Sequence, residues 1–372
     1  MKSLHILHSE AATGWGGQEI RVFQESRLLL ERGYRVSLIC HLGSPLAQNA
    51  DKIESPNFRC YPIKMGRNVN PFSIFQIYRT LMKIKPDIAH THSSIDSWQV
   101  SFCCKALKIP IVRSRHVSIP VKNYFPNKTI YSYFPEKIIT SGKAVQTIMQ
   151  NIDGVMKEKV VSITAGVDMQ RFDYKISGEK IRAELKLKTT QPLIGKIAVI
   201  RGWKGHDYFL EAVPIVLQKI PSARFIIVGD GPGFKEIKEK VLNRKLGSFL
   251  TLLGHREDIP EIIAGLDILL LASTEGEATS QVIPQAFAMK TPVVATRAGG
   301  IPEILDGGKR GVLVETRSGK ALADGIVALL ENLEVRQNFI DKAYQFCRQE
   351  LSIDKMMDQT IAVYEEIIKL QN

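Results

Sequence analysis

Short apolar runs alternate with longer amphipathic stretches along the first half of the chain. The runs predict seven β-strands, at Leu4–His8, Arg35–Cys40, Phe58–Pro62, Asp87–His90, Pro110–Arg113, Lys137–Thr140 and Val160–Ile163. Patterns with helical periodicity lie between them, at Gln18–Arg32, Pro71–Lys83, Ser97–Leu107 and Gly142–Asn151. Strands that alternate with helices in this way predict a parallel sheet with helices packed on its faces.

The same alternation returns in the second half. Five further strands are predicted, at Leu193–Val199, Arg224–Val228, Phe249–Leu252, Asp267–Leu271 and Pro292–Ala295. Helices are predicted between them, and the chain is helical after Lys320. We therefore predict an α/β protein with two doubly wound, Rossmann-like domains, residues 1–170 and 171–350. Residues 351–372 form a C-terminal helix that can pack back on the N-terminal domain.

Composition places the chain among ordinary globular proteins, with 44% apolar and 24% charged residues. The sequence contains no apolar run long enough to cross a bilayer, and its N-terminus lacks the features of a signal peptide. The five cysteines show no metal-ligand spacing, and their odd number is typical of reduced thiols. These features predict a cytoplasmic protein.

The formal net charge of +12 favours anionic partners, such as nucleotide phosphates or acidic lipid headgroups. Nucleic acid is not expected as a partner, because the sequence shows no fingerprint of a nucleic-acid-binding module. The stretch Lys122–Lys137 interleaves five aromatic residues with three lysines. This mixture suits an anionic membrane surface, on the inner face of the cytoplasmic membrane. The alternative is an aromatic lid over a ligand cleft, and we favour exposure.

Ligands of open parallel sheets bind beyond the carboxyl ends of the strands, so the loops there are candidates for binding. The first such loop contains Gly14, Gly16 and Gly17, which let a ligand approach the backbone closely. Its spacing is not the dinucleotide-binding fingerprint, and a tight turn explains the glycines equally well.

Three histidines also follow strands of the first half. His90 and His92 end the fourth strand, and no third ligand lies at a spacing that would complete a metal site. We therefore expect buried, hydrogen-bonded histidines there and no metal. His116 lies past the fifth strand, close in sequence to Arg113 and Arg115. A histidine at this position can have a functional or a structural role.

The second half carries a candidate sugar–phosphate site. Arg201 and Lys204 lie in a glycine-containing loop at a strand end, where two cations can neutralise a diphosphate. Further along, Glu275 and Glu277 precede a helix predicted over Gln281–Met289, with Thr279 and Ser280 as N-cap residues. The N–H groups of a helix start attract phosphate, whereas a carboxylate suits sugar hydroxyls. The alternative is a plain N-cap beside a solvated glutamate.

Three elements together resemble one protein family: the RxxKG loop Arg201–Gly205, the GDGP turn Gly229–Pro232, and the run EATSQVIPQAFAMKTPVVATRAGGIPEIL. They resemble glycosyltransferase family 4, and Trp15–Glu19 is similar to bacterial members that build lipopolysaccharide or other surface glycans. The resemblance implies the GT-B architecture, with the active site in the cleft between two domains. It also implies retaining, metal-independent transfer from a nucleotide-sugar to a hydroxyl of a glycan or lipid-linked acceptor.

The resemblance further implies roles for individual residues. Glu277 would orient a donor-sugar hydroxyl, and His116 would lie near the reacting sugar; these two are the catalytic candidates. The donor-binding candidates are Gly16, Gly17, Arg201, Lys204, Ser280, Gln281, Val282 and Gln285. Apart from the nucleotide-sugar substrate, neither a cofactor nor a metal is expected.

One position departs from the family pattern. The family has two glutamates separated by seven residues, whereas this chain has Glu277 followed by Gln285. A glutamine can still bond ribose hydroxyls, but without the strength that a charge adds. Two alternatives stay open: a nucleotide-sugar epimerase, which is another enzyme of the GT-B fold, and, because of Gln285, a non-catalytic protein that binds sugar-nucleotides or glycans.

Overall fold

A computed structural model describes residues 3–66, 70–118, 121, 128–275, 277–278 and 280–370. The chain forms two compact units: Met1–Ala165 together with Asp354–Asn372, and Gly166–Ile353. The sequence pattern placed the boundary at residue 170 instead. The difference arises because Val167 exchanges backbone hydrogen bonds with Leu351 and Ile353, which ties the start of this segment to the second unit.

The first unit is built on a seven-stranded parallel sheet in the order β3-β2-β1-β4-β5-β6-β7. Its strands are β1 His5–Glu10, β2 Arg35–His41, β3 Phe58–Ile63, β4 Ile88–Thr91, β5 Ile111–Arg115, β6 Lys137–Thr140 and β7 Val160–Ser162. Its helices are α1 Gly17–Glu31, α2 Pro45–Ala50, α3 Pro71–Ile84, α4 Ser94–Ala106, α5 Thr129–Ser132 and α6 Lys143–Gln150. The strand order reverses between β1 and β4, which is where doubly wound sheets bind their ligands.

The second unit has a six-stranded parallel sheet in the order β10-β9-β8-β11-β12-β13. Its strands are β8 Leu193–Ile197, β9 Arg224–Val228, β10 Leu250–Gly254, β11 Ile268–Leu271, β12 Val293–Thr296 and β13 Val312–Val314. Its helices are α7 Glu179–Glu184, α8 His206–Lys219, α9 Phe234–Asn243, α10 Ile259–Gly265, α11 Val282–Ala288, α12 Ile301–Ile304, α13 Gly319–Glu331 and α14 Leu333–Glu350. The reversal of strand order here falls between β8 and β11.

Two apolar layers cover the second sheet. Along β11, Leu269 and Leu271 belong to one buried cluster, whereas Ile268 and Leu270 belong to the other. Successive side chains of a strand point to opposite faces, so a strand buried on both faces is apolar throughout. The predicted α/β class with two doubly wound parallel sheets is confirmed. The short strand β13 was not predicted.

The C-terminal helix α15, Ile353–Lys369, begins at the end of the second unit and packs in the first. Its buried face includes Met357, Val363 and Tyr364. The Tyr364 hydroxyl lies 2.6 Å from His90 Nδ1, and Arg32 Nη2 lies 2.7 Å from Asp354 Oδ1. Among the described residues, no helix is both long enough and apolar enough to span a bilayer.

Candidate functional site: a lysine–glutamate pair and a histidine cluster

Lys204 and Glu277 meet at the carboxyl edge of the second sheet. They lie in the loops that follow β8 and β11, the two strands at the reversal of strand order. Lys204 Nζ lies 2.5 Å from Glu277 Oε1, and the Ser273 hydroxyl donates to the same oxygen at 2.6 Å. Glu277 is only 5% exposed, so its charge is compensated by a cation and a hydroxyl rather than by bulk water.

Backbone contacts hold the two loops together. The Thr274 N–H donates to the Trp203 carbonyl at 2.9 Å, and Lys204 Nζ stacks 4.2 Å above the Trp203 ring. Gly205 has φ +66°, and a Cβ at this position would lie 1.8 Å from the Ala272 carbonyl oxygen. Only glycine permits this close approach, so the lysine loop has a fixed position against the glutamate loop.

Two buried basic side chains beneath the pair were not singled out by sequence reasoning. Lys196, on β8, is 1% exposed and donates from Nζ to the Lys204 carbonyl at 2.7 Å. Burial and the nearby Lys204 cation lower the pKa of Lys196 to about 7, although Glu277 opposes this shift. Burial also lowers the pKa of His206, to about 2. A lysine inside the apolar run LIGKIAVI was the signal that could have revealed Lys196.

The helix after Glu277 differs in detail from the prediction. α11 begins at Val282, with Gln281 at the N-cap position and no side-chain cap, so the expected Ser280 cap is wrong. Thr279, the other expected cap, lies outside the described residues. Ser280, Gln281 and Val282 nevertheless form the N-terminal edge of α11, and Gln285 lies in its second turn, partly exposed.

Arg201 and Glu275 are the remaining candidates of the second unit, and both are exposed. Arg201 is exposed at the start of the 3₁₀ turn Gly202–Lys204. Glu275 is exposed and lines an open surface cavity of about 420 Å³, whereas Glu277 is buried beside Lys204. The structure therefore brings Lys204 together with Glu277 and not with Glu275.

In the first unit, the glycine loop forms the start of α1. Gly16 is the N-cap residue, and its N–H donates to the Glu19 carboxylate at 2.7 Å. Gly17 is the first residue of the helix. Glu10, at the end of β1, is fully buried, and burial followed by the nearby Asp96 raises the pKa of Glu10 to about 8.

Four histidines from β1, the end of β4 and the end of β5 lie together, and hydrogen bonds link three of them to one another. His8 Nδ1 lies 2.9 Å from His92 Nε2, and His92 Nδ1 lies 3.1 Å from His116 Nε2. His90 pairs with Tyr364 and, through Nε2, with the Ser114 hydroxyl at 2.7 Å. The prediction of buried, hydrogen-bonded histidines at 90 and 92 is confirmed.

The histidine cluster is neutral at physiological pH. Burial lowers the pKa of His8 to about 4 and holds the pKa values of His90, His92 and His116 well below the usual range. The Arg21 cation adds to the shift for all four residues. His116 can therefore offer a hydrogen bond to a ligand but carries no positive charge.

The same cluster contains atoms of the kind that bind metals. Atoms of His8, Glu25, His90 and His92 lie within 4.8 Å of one another, so two further potential ligands, from β1 and α1, were missed by sequence spacing. However, Arg21 Nε binds Glu25 Oε1 at 2.7 Å inside the cluster. A divalent cation would lie beside this buried arginine, and the direct histidine–histidine bonds already occupy ring nitrogens. The donor set therefore fits a metal poorly.

The structure describes residues 128–137 of the aromatic–lysine stretch Lys122–Lys137, and residues 122–127 lie outside the described residues. In the remainder, the expected exposure is wrong for Tyr131 and Phe134, which are 1% and 5% exposed. The Arg113 guanidinium stacks on the Tyr131 ring, and Trp98 packs against Phe134, so both aromatics belong to the core. Lys128 and Lys137 are paired with Asp153 and Glu366.

The low pKa of Lys196 makes a prediction about stability. Between pH 7 and about 10, Lys196 keeps its proton in the unfolded chain but loses it in the folded chain. Lys196 therefore makes the protein more stable as pH rises through that range. In Lys196→Met, the gain in unfolding free energy from pH 7 to pH 9 should be smaller than in the wild type by on the order of 2 kcal/mol. Urea unfolding at both pH values measures this difference, with the exposed Lys219→Met as control. An identical gain in Lys196→Met and in the wild type would show that the pKa of Lys196 is not lowered in the folded protein.

Two sequence families match the chain, one in each half. Residues 15–171 match the family described as Glycosyltransferase Family 4, and residues 177–346 match Glycosyl transferases group 1. The chain is 24% identical over 371 residues to the N-acetyl-alpha-D-glucosaminyl L-malate synthase of Bacillus anthracis, covering 95% of each chain. It is also 24% identical to the UDP-Gal:alpha-D-GlcNAc-diphosphoundecaprenol alpha-1,3-galactosyltransferase of Escherichia coli, covering 99% of each.

A solved structure shares the fold. The Anabaena protein HepE, crystallised with UDP-glucose, superposes with a TM-score of 0.85 at 19% identity, over 98% of this chain and all of the other. At this identity the likeness concerns the fold alone. The two family matches together show that the chain is a glycosyltransferase, of EC class 2.4, with a family 4 domain in its N-terminal half and a group 1 domain in its C-terminal half. The paired parallel sheets and the likeness to HepE show that its fold is GT-B.

Proposed function

We propose that this protein transfers a sugar, with retention at the anomeric carbon, from a nucleotide-sugar to a hydroxyl of a glycan or lipid-linked acceptor. The contact between Lys204 and Glu277 carries the proposal, because it puts a cation for phosphate and an acceptor for sugar hydroxyls at one point. The Escherichia coli relative uses UDP-Gal as its donor and a diphosphoundecaprenol-linked sugar as its acceptor, and HepE binds UDP-glucose. A UDP-sugar donor and a lipid-linked acceptor of bacterial surface-glycan or lipopolysaccharide synthesis are the first choices. This chemistry would take place in the cytoplasm, at the inner face of the membrane.

The diphosphate of the donor would bind around Lys204. Lys204 would supply a charge-assisted hydrogen bond, and the exposed Arg201 a second cation. The backbone of Ser280–Val282, at the edge of α11, would face the same group. For Gly16 and Gly17, we propose contact with a donor phosphate on the family resemblance alone, because glycines let a ligand approach the backbone closely.

The donor sugar would lie against Glu277. One of its oxygens is committed to Lys204 and Ser273, which makes the carboxylate a fixed acceptor for a sugar hydroxyl rather than a free base. For His116, whose pKa is held well below its usual range by burial, a hydrogen bond to the sugar or to the leaving oxygen is proposed on the family resemblance alone. Gln285 would bond the ribose, with less strength than a glutamate.

The reaction would follow front-face displacement. The bond between the anomeric carbon and the diphosphate oxygen breaks, the acceptor oxygen bonds to the same face of that carbon, and the departing phosphate takes the acceptor proton. Lys204 and Arg201 would stabilise the charge that develops on the leaving group, so we propose that no metal is required.

Replacing Lys204 tests this function. Lys204→Ala and Lys204→Gln should lower turnover by about 10²–10³-fold, since each removes the cation that meets the leaving group. Lys204→Gln can still donate to Glu277, so it separates lost catalysis from lost folding. Mass spectrometry of a panel of nucleotide-sugars, with and without acceptors, provides the readout, and the exposed Lys235→Gln is the control. Wild-type turnover in both Lys204 variants would refute the diphosphate assignment.

Gln285 supports a second prediction. Restoring a carboxylate with Gln285→Glu should tighten nucleoside diphosphate binding by roughly tenfold, because charge-assisted bonds to the ribose are stronger than neutral ones. Titration calorimetry with UDP measures the affinity, and Gln218→Glu, on the exposed side of α8, controls for the added charge. An unchanged affinity for UDP would remove Gln285 from the ribose site.

A further inference from the structure

Four large apolar side chains are exposed on two neighbouring helices of the first unit. Phe72, Phe75 and Met82 of α3 are 64%, 55% and 52% exposed, and Phe102 of α4 is 60% exposed. We call these four residues the aromatic face. Single exposed apolar residues are ordinary, but a group of this kind on adjacent helices marks a binding surface.

The helical repeat of α3 explains how the aromatic face arises. Ser73, Ile77 and Leu81 are the buried residues of this helix, and they recur every four positions. Phe72, Phe75 and Met82 lie on the opposite side, where a surface helix normally carries polar residues. α3 is therefore apolar on the side that the protein core does not cover.

A groove continues the aromatic face between the two helices. It has a volume of about 380 Å³, and Ile74, Phe75 and Tyr78 of α3 line it opposite Phe102 and Cys103 of α4. Apart from the Tyr78 hydroxyl, these side chains offer no strong hydrogen-bonding group. The groove therefore suits hydrocarbon and not a polar ligand.

The charged side chains that α3 and α4 expose are positive. α3, described over its whole length, contains no aspartate or glutamate, and its charged residues are Arg79 and Lys83, both exposed. Arg79 lies 5.7 Å from the Phe75 ring centre. The one acid of α4, Asp96, is fully buried and bonded to Ser9 and Ser93, so it does not offset these cations.

We propose that the aromatic face docks on an anionic lipid bilayer, with the phenylalanines in the headgroup–acyl boundary and the cations on lipid phosphates. Exposed aromatics beside arginine and lysine, without carboxylates, match the two forces that hold interfacial helices on membranes. The choice of a bilayer over an acidic protein rests on the proposed function, because a lipid-linked acceptor lies in such a surface. This location differs from Lys122–Lys137, whose described aromatics are mostly buried.

Vesicle flotation tests the docking directly. The full chain should float with vesicles that contain phosphatidylglycerol at low salt and bind phosphatidylcholine vesicles much more weakly. Phe72→Ser/Phe75→Ser/Phe102→Ser should lower the partition by about tenfold or more, and Arg79→Glu/Lys83→Glu should abolish the preference for anionic lipid. Leu242→Ser/Leu333→Ser, which removes two exposed leucines of the second unit, should float like the wild type.

Three outcomes would overturn the proposal. These are failure of the wild type to bind anionic vesicles at low salt, unchanged flotation of the triple phenylalanine variant, and a dimer in sedimentation equilibrium that this variant dissociates. The last would assign the aromatic face to a second copy of the chain.

Activity assays separate this proposal from the proposed function. The triple phenylalanine variant should retain transfer to a water-soluble acceptor and lose transfer to an acceptor embedded in vesicles. Equal loss with both acceptors would contradict a docking role. Flotation without transfer in the wild type would leave the docking surface valid and refute the transferase assignment.

Discussion

The ion pair between Lys204 and Glu277 is the constraint on which the ligand site of the second unit depends. The Glu277 carboxylate is 5% exposed, and the Lys204 ammonium and the Ser273 hydroxyl bond to it in place of water. The pair in turn requires Gly205, since any side chain there would strike the Ala272 carbonyl and separate the two loops. One glycine conformation therefore fixes the position of the Lys204 cation relative to the Glu277 carboxylate.

Lys196 adds a further level to this arrangement. Its Nζ donates a hydrogen bond to the carbonyl of Lys204, and burial lowers its pKa to about 7. A diphosphate beside Lys204 would favour the charged form of Lys196. Under the proposed function, Lys196 and Lys204 would therefore both favour negative charge at this site, and only Lys204 would contact the ligand.

Much of this organisation could be predicted from the sequence, because it is encoded locally. Most of the strands follow from hydrophobic periodicity, whereas the choice of Glu277 over Glu275 follows from the resemblance to the family pattern. The convergence of His8, Glu25, His90 and His116 could not be predicted, since these residues come from four elements whose proximity depends on the order of strands in the sheet. The burial of Tyr131 and Phe134 was missed for a similar reason: their partners Arg113 and Trp98 lie well before them in the chain.

The central claim is that Glu277 binds the sugar while restraining the cation that binds phosphate. It is tested most directly by measuring UDP affinity and turnover together in Glu277→Gln. Loss of the negative charge should tighten binding of UDP, which lacks a sugar, because Lys204 is released and repulsion of the phosphates disappears. The same change should lower turnover by at least about tenfold, because the sugar loses its fixed acceptor. Unchanged UDP affinity together with wild-type turnover would contradict the account.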